Sequence, residues 1–437
     1  MAARTGDEMS GPALLLAGFA VAGSAGEASA LLAALTAASA LGGPLLGVRL
    51  DRAGRPGRLL AVALALYAAG LLGVLLALDR LPLPPVLLLA AAAGLLGPAL
   101  SGGWTAQLPR VAPGDRLARA NALDAMTYGV AALAGPALAG AVAVAFGPGP
   151  AVLVAAGLIA VALPAAWTLP ARTDTRHDRP AVRTELVAGF RVLTKRPALA
   201  RATVVSLGSS AGQGMLAACL PLLGEAALGG ASRGPLLLAC TAVAALLANA
   251  ALARRPDLLA PDAAVRVGAL LQAAALALAA TAHPLLLVAA AALAGLGEGP
   301  QLTGLFAVRH REAPDHLRSQ IFTTGASLKI TAFALGTALA GPLATRSAPV
   351  TLALAATLTA ATALLPSPAR AGPPRQEPAP DRASQTPCHS RPLPALAGVR
   401  LASAGRAPPG CSARGRPAAG CGRTSATGRR TPSRTRA

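Results

Sequence analysis

The sequence predicts an all-α polytopic membrane protein with twelve transmembrane helices in two six-helix bundles. Of its 437 residues 54% are hydrophobic and only 13% are charged, about half the charged share of a soluble protein. Residues 1 to about 366 divide into twelve units of roughly 30 residues, each one bilayer span with a short loop. The composition therefore argues against a soluble enzyme.

Each predicted helix corresponds to one apolar run. Only helices and closed barrels satisfy every backbone polar group in lipid, so runs of this length should be helical. The runs cover residues 8–24, 27–48, 59–78, 83–106, 119–145, 149–169, 200–223, 234–252, 264–282, 284–307, 319–344 and 348–366.

The first run is short. It begins near Glu8, after Asp7, and only about 13 of its residues are uninterrupted, which is ~20 Å of helix against the ~30 Å of a bilayer. Two explanations fit: a first helix that lacks its N-terminal half, or a short interfacial helix. A secretory signal peptide fits poorly because no basic segment precedes the run.

Arginine and lysine in the loops predict the orientation of the chain. With a cytoplasmic N-terminus, the inside loops carry 21 basic residues, whereas the outside loops carry only Arg80, Arg233 and Arg346. Loops rich in Arg and Lys stay on the cytoplasmic side. Both termini are therefore predicted to be cytoplasmic, in a multi-pass protein of the plasma or inner membrane.

The two halves of the chain resemble each other. The segment Gly135–Gly140 (GPALAG) returns as Gly336–Gly341 (GTALAG), and Ala112-Pro113 returns as Ala313-Pro314, both 201 positions later. Internal repeats of this kind build secondary transporters, whose substrate site lies between the repeats. The sequence thus predicts bundles over residues 1–169 and 200–366, joined by a central cytoplasmic loop, 170–199.

Two segments differ from the apolar runs. The central loop contains Glu185–Arg196, an amphipathic stretch that fits a helix on the membrane surface. Residues 367–437 hold 13 of the 39 basic residues and only two acidic ones, with abundant Pro, Gly and Ser. This basic tail is predicted to be disordered. It either has no function, as in an out-of-frame extension, or contacts anionic lipid headgroups.

The strongest motif lies between the second and third runs, over residues 47–58 (GVRLDRAGRPGR). Glycines allow a tight turn, and a carboxylate among arginines forms ion pairs or binds a helix N-terminus. The alternative is a positive-inside loop with incidental glycines. The residues that form this motif are Gly47, Asp51, Arg52, Gly54, Arg55 and Arg58.

This motif resembles the signature of the major facilitator superfamily, G-x-x-x-D-R/K-x-G-R/K after the second helix. Pro56 stands where a further basic residue is usual, and Arg58 follows two positions later. The resemblance covers residues 1 to about 366. It implies that Asp51 caps the eleventh helix near Leu317–Gln320 and braces the outward-facing state.

A weaker match lies in the fifth run. Drug–proton antiporters of the superfamily carry G-x-x-x-G-P-x-x-G-G there, and this chain has Gly135, Pro136 and Gly140, with Ala131 and Ala139 in place of two glycines. The resemblance implies an antiporter hinge and an export direction. The alternative is ordinary close packing of small residues.

Ionisable and polar groups within the bilayer are candidates for the proton or substrate path. Glu298 and Lys329 lie near the predicted midplane, where they could form an ion pair or leave Glu298 to carry a proton. Gln213 is a polar candidate in the seventh run. Asp7, in a Gly-Asp pair that resembles one in the family's first helix, is the fourth.

The sequence therefore favours a proton-coupled secondary transporter that exports small hydrophobic molecules, and argues against an enzyme. The expected partners are a small-molecule substrate, protons and the lipid bilayer, in a monomeric chain. No cofactor, metal site or nucleic-acid contact is expected, and no Walker A motif is present. The alternatives are a metabolite importer (symporter or uniporter) of the same fold, or a truncated, non-functional transporter.

Overall fold

A computed structural model describes residues 1–22, 24–172, 181–234 and 236–366. These residues form helices and short connections, and no strand occurs among them, so the prediction of an all-α membrane protein is confirmed. The predicted disordered tail, residues 367–437, lies outside the described residues.

The N-terminal half of the chain contains eight α-helices in the order of its predicted runs. Several are interrupted or follow one another without a loop, so one run often corresponds to more than one helix. They are α1 (Ala2–Ala22), α2 (Ala25–Arg52), α3 (Pro56–Ala77), α4 (Leu83–Gly94), α5 (Leu108–Val111), α6 (Arg116–Phe146), α7 (Pro148–Ala160) and α8 (Leu163–Trp167).

The C-terminal half contains seven helices, the first of which belongs to the central loop. The other six correspond to the last six predicted runs. They are α9 (Val182–Lys195), α10 (Pro197–Leu228), α11 (Leu236–Arg254), α12 (Pro261–Ala279), α13 (Pro284–Glu312), α14 (Arg318–Ala344) and α15 (Ala348–Ala363).

Within the described residues, ten helical segments are long and apolar enough to cross a membrane. The shorter helix α15 is also apolar, and these helices together with α1 are consistent with the twelve predicted spans. The end of the structure that carries Asp51 and the loops 53–55, 112–115 and 313–317 is called the Asp51 end. The opposite end, with loops 78–82 and 280–283, is called the far end.

The first helix is longer than its apolar run. It contains 21 residues, which at 1.5 Å per residue is about 30 Å, because Arg4, Asp7 and Glu8 are all helical. The apparent shortness at the sequence level came from these charged residues, which interrupt the hydropathy and not the helix. Gly6 lets α1 approach α7, since a Cβ there would lie 2.5 Å from the carbonyl oxygen of Ala155.

The fourth predicted run, 83–106, lies within one candidate membrane span, Leu83–Val111, as expected, but this span is not a single continuous α-helix. Helix α4 ends at Gly94, and a π-helical segment (Ala99–Gly103) and a 3-10 turn (Thr105–Gln107) follow it. Pro98 cannot donate a backbone hydrogen bond, which explains the change in helical pitch.

Each half has its own apolar core. The largest cluster of buried hydrophobic residues is drawn only from positions 3–166, and the second only from positions 215–356. A smaller cluster joins the halves, with Ala106 and Ala125 on one side and Phe306 and Phe322 on the other. The halves therefore have separate cores, and they meet through this aromatic contact, through α2 against α14 and through α6 against α11.

The amphipathic stretch of the central loop forms helix α9. Its buried residues Gly189 and Leu193 face α14 and the Asp51-end cluster that contains Leu199 and Ile321. Val187 and Phe190 are exposed. One face of the predicted surface helix thus packs on the other helices of the chain.

Candidate functional site

Asp51 binds the first turn of α14. Its Oδ1 accepts the backbone N–H of Ser319 at 3.0 Å, and its Oδ2 accepts that of Gln320 at 2.8 Å. These N–H groups have no intrahelical acceptor, and the positive end of the helix dipole favours a carboxylate there. The Asp51 side chain is 4% exposed. The contact lies within the segment, Leu317–Gln320, that the family resemblance implies.

Glycines allow α2 and α14 to pack in direct backbone contact. A Cβ at Gly47 would lie 2.4 Å from the Cα of Gln320, and one at Gly43 would lie 2.4 Å from the carbonyl oxygen of Thr323. The expectation that Gly47 serves a tight turn is wrong, because it lies inside helix α2. Its function in the fold is close approach between the two halves.

Arg172 is a second element of this contact, and no local pattern in the sequence distinguishes it from the neighbouring arginines. Its Nη1 donates to the carbonyl oxygen of Asp51 at 2.8 Å, and its Nη2 donates to the carbonyl oxygen of Asp315 at 2.6 Å. Its own backbone N–H donates to the carbonyl oxygen of Gly54 at 2.8 Å. Arg172 thus joins the loops on both sides of the contact.

The arginines of the loop motif have separate partners. Arg52 Nε donates to Glu185 Oε2 of α9 at 2.6 Å, and the guanidinium of Arg58 stacks over the Trp167 ring at 5.2 Å. Arg55 is exposed at the start of α3 and forms no side-chain cap. The motif therefore connects α2 to the central-loop helix.

Helix α9 closes the other side of the contact. Gln320 Nε2 donates to the carbonyl oxygen of Leu186 at 3.0 Å. Ser327 Oγ donates to the carbonyl oxygen of Ser39 at 2.6 Å. Among the described residues, no other hydrogen bond between the halves lies farther from the Asp51 end. Hydrogen bonding between the halves is therefore concentrated at the Asp51 end.

The fifth-helix positions are not equivalent. Gly135 packs against α1, where a Cβ would lie 2.6 Å from Glu8 Cβ, whereas a Cβ at Gly140 would meet nothing within 4 Å. Helix α6 continues through Pro136 for 31 residues. Close packing thus applies to Gly135 and does not apply to Gly140.

A buried ion pair joins three segments of the N-terminal half. Arg4 Nη1 donates to Asp124 Oδ1 at 2.6 Å, and Arg4 Nη2 donates to Thr105 Oγ1 at 3.0 Å. The guanidinium also lies 3.9 Å from the centre of the Tyr128 ring. The sequence did not single out Arg4, because a residue before the first apolar run was not expected to lie inside the structure.

Asp7 lies one turn from Arg4 and has a different partner. The Tyr67 hydroxyl donates to Asp7 Oδ1 at 2.7 Å and also lies 3.1 Å from Ser10 Oγ. Asp7 is half-buried, and Tyr67 belongs to the core of the N-terminal half. The carboxylate therefore lies inside the bundle with a hydrogen-bond donor already in place.

Glu298 and Lys329 lie on α13 and α14, both half-buried. The carboxylate and the ammonium lie close enough to influence each other electrostatically, but they form no direct ion pair. The ion pair that the sequence suggested is therefore not formed in this structure. Lys329 is two residues beyond Ser327 towards the far end. The pair therefore lies just past the region where the two halves are hydrogen-bonded.

Gln213 begins a chain of hydrogen-bonded side chains that the sequence did not predict. Gln213 Nε2 donates to Gln272 Oε1 at 2.9 Å, Gln272 Nε2 donates to Gln301 Oε1 at 2.9 Å, and Gln301 Nε2 donates to Ser209 Oγ at 2.8 Å. Gln213 also lies close to Glu298, although no hydrogen bond joins the two side chains. These amides link α10, α12 and α13 behind the carboxylate.

Two sets of membrane-spanning helices that meet at one end, with ionisable groups just beyond the contact, define a membrane transporter. The family model of the Major Facilitator Superfamily matches residues 1–321. The chain belongs to that family.

Solved structures share the fold at low sequence identity. The fucose:proton symporter FucP of E. coli has a TM-score of 0.63 at 15% identity, over 83% of this chain and 96% of that chain. A bacterial homologue of the iron transporter ferroportin, in an outward-facing state, has 0.61 at 16%, over 83% and 94%. The human organic anion transporter MFSD10 has 0.64 at 17%, over 83% and 97%. No curated protein matches the chain by sequence.

Proposed function

We propose that the protein exports small hydrophobic molecules in exchange for protons, by alternating access between two bundles, residues 1–169 and 200–366. The observation that carries the proposal is the Asp51 contact, which joins the halves at one end through the Ser319 and Gln320 N–H groups. Rocking of the bundles would break this contact and expose the intervening space to the other side.

Glu298 is the proposed proton carrier. A half-buried carboxylate within the bilayer is costly when charged, so proton uptake and release at this position respond to the change of solvent access. Lys329 lies near this carboxylate on α14, and the amide chain that begins at Gln213 lies behind it. Asp7 is the second proposed proton group, with Tyr67 as its donor.

The proposed orientation places the Asp51 end in the cytoplasm. The loops at this end carry most of the loop arginines, which favours the cytoplasmic side. The structure then corresponds to an outward-facing state, closed towards the cytoplasm by the gating loop Gly47–Arg58. A monomer in the plasma or inner membrane, with both termini cytoplasmic, completes the proposal, and Gly135, Pro136 and Gly140 form the candidate hinge.

The test is proton movement in liposomes that contain the purified full chain. Hydrophobic cations and neutral drugs are added in turn, and the internal pH is followed with a dye. Glu298→Gln is compared with Glu27→Gln, an exposed carboxylate at the far end. Drug-dependent flux that is lost only in Glu298→Gln supports the proposal. Flux retained in Glu298→Gln moves the proton role to Asp7, and no flux with the folded wild type rejects hydrophobic drug export.

Import by the same fold is the second candidate. It is favoured by the likeness to a fucose:proton symporter, a protein that moves substrate and proton in one direction. The two candidates differ in the sign of the coupled flux. An inward proton gradient drives substrate accumulation in the symporter and substrate expulsion in the antiporter, and the same liposomes distinguish them.

A further inference from the structure

Arg309 is a buried cation whose hydrogen bonding is incomplete among the described residues. It lies on α13, three residues before the helix ends at Glu312, and it is 2% exposed. Its Nε and Nη2 atoms have no hydrogen-bond acceptor in the part of the chain that the structure describes. The group contrasts with Arg4, which is equally enclosed but bound to Asp124.

A lone buried guanidinium is unfavourable, because desolvation of a charge is compensated only by a counter-charge and full hydrogen bonding. Gly325 provides the space for it, since a Cβ there would lie 2.2 Å from Arg309 Nη2. Lys329 lies one turn further along α14, within electrostatic range of Arg309. Because Lys329 already has the Glu298 carboxylate nearby, Arg309 is the cation here that lacks a counter-charge among the described residues, and its guanidinium favours an anion.

The surroundings of Arg309 are aromatic in a chain with few aromatic residues. Phe322 lies 5.7 Å from the guanidinium, with its ring centroid 6.0 Å from that of Phe306, which in turn lies 5.7 Å from that of Tyr128. The His310 ring lies 4.5 Å from Phe322, and neither of its nitrogens has a partner within the described residues. Tyr128 lies on α6 of the N-terminal half, whereas the other rings lie on α13 and α14. If the halves part, Tyr128 therefore moves away from the rest of the cluster.

We propose that Arg309 is the anion-binding group of a site that opens only when the Asp51 contact breaks, and that the site takes a small aromatic carboxylate. This inference rests on the proposed transport function and names its substrate class. In the present state the aromatic rings fill the site. In the alternate state the carboxylate would pair with the Arg309 guanidinium while the rings of Phe306 and Phe322 pack on its apolar part.

The test measures binding of benzoate to the full chain in lipid nanodiscs by calorimetry, with neutral benzamide as the matched probe. We expect benzoate to bind the wild type and benzamide not to bind. Arg309→Gln should weaken benzoate binding by about tenfold or more, as loss of a charged hydrogen-bond donor does. Arg254→Gln, an exposed arginine at the same end of the structure, should leave the affinity unchanged.

A second variant tests the link to the gate without altering the anion site. Asp51→Asn should increase the apparent benzoate affinity, because it enlarges the fraction of molecules in the open, binding-competent state. Equal binding of benzoate and benzamide, native affinity in Arg309→Gln, an unchanged affinity in Asp51→Asn, or no benzoate binding by the wild type would each overturn the inference.

The binding arms separate this inference from the proposed function. Drug-dependent proton flux without benzoate binding rejects the anion site and leaves proton-coupled export standing. Benzoate binding that depends on Arg309, without proton flux for any probe, supports the anion site and rejects proton coupling.

Discussion

Asp51 and Gln320 are 269 positions apart in the chain, and the backbone N–H of Gln320 donates to Asp51 Oδ2 at 2.8 Å. The neighbouring N–H of Ser319 donates to the other carboxylate oxygen. One carboxylate therefore satisfies two free donors of a helix that belongs to the other half. The acceptor is a negatively charged carboxylate, and the donors lie at the positive end of the helix dipole. The contact is therefore stronger than a hydrogen bond between neutral groups.

The first prediction concerns Asp51→Asn. An amide retains the size of the side chain but offers only one acceptor oxygen, so one backbone N–H of α14 loses its partner. We expect the closed contact to weaken by about 1–3 kcal/mol, and the amide protons of Ser319 and Gln320 to exchange at least about tenfold faster. Hydrogen exchange read by mass spectrometry measures this. Arg254→Gln, at an exposed position of the same end but outside the gating loop, is the control and should show native exchange.

The second prediction compares two glycine substitutions. Gly47→Ala places a Cβ 2.4 Å from the Cα of Gln320, so α2 and α14 must move apart. We expect a loss of about 1–3 kcal/mol for the closed state, as for overpacking in a core. Gly140→Ala places a Cβ in open space and should be neutral or slightly stabilising. The two variants are compared by their thermal unfolding in nanodiscs and by the hydrogen exchange of the backbone amides of α14.

The Gly140→Ala variant also tests the proposed antiporter hinge. If Gly140 serves only as a small residue, Gly140→Ala transports as the wild type does. A hinge that depends on glycine at this position would instead give a folded protein with reduced or leaky proton flux. The liposome assay for proton flux decides between these results.

The third prediction concerns the ion pair of Arg4 and Asp124, whose side chains are 7% and 8% exposed. Arg4→Gln leaves the Asp124 carboxylate buried and without its counter-charge, and should destabilise the protein by about 3–5 kcal/mol. The double variant Arg4→Leu, Asp124→Leu removes both charges and should be closer to the wild type. A melting series of the single and double variants measures the difference. Equal loss in both would contradict this account.

The fourth prediction concerns the amide chain. Gln272→Leu leaves the Gln301 Oε1 atom without its donor and Gln213 Nε2 without its acceptor. We expect destabilisation of about 1–3 kcal/mol and slower proton flux, because Gln213 is no longer held against Glu298. Gln272→Glu retains an acceptor for Gln213 and should restore more of the flux than the leucine variant does. A Gln272→Leu protein with native flux would remove the positioning role.

The sequence predicted the helices and the motif better than it predicted the contacts. Apolar runs and loop arginines are local signals, and the Asp51 motif has a distinctive spacing, so both were available from the chain alone. The partners of Asp51 beyond α14 were not. Arg172 stands in an arginine-rich loop where nothing in the local pattern distinguishes it from its neighbours, and its role depends on how three loops meet.

Polar residues within helices show the same limit more clearly. Glu298 and Lys329 were identified because a charge within an apolar run is conspicuous. Gln272 and Gln301 are neutral, and their significance lies in the 2.9 Å hydrogen bonds that join them. Arg4 was missed because hydropathy placed it outside the first run, whereas the helix continues to Ala2.

The two halves differ in the kind of bond that holds their helices together. In the N-terminal half an ionic bond between Arg4 and Asp124 fastens α1 to α6, and Thr105 adds the segment after α4. In the C-terminal half the bonds inside the bundle are between neutral amides, and the ion pairs of Asp262 with Arg201 and Arg311 join α10, α12 and α13 only at the Asp51 end. We therefore expect the N-terminal half to be rigid and the C-terminal half to deform more easily. Adaptation to substrates of different shape should then occur mainly in α10, α12 and α13.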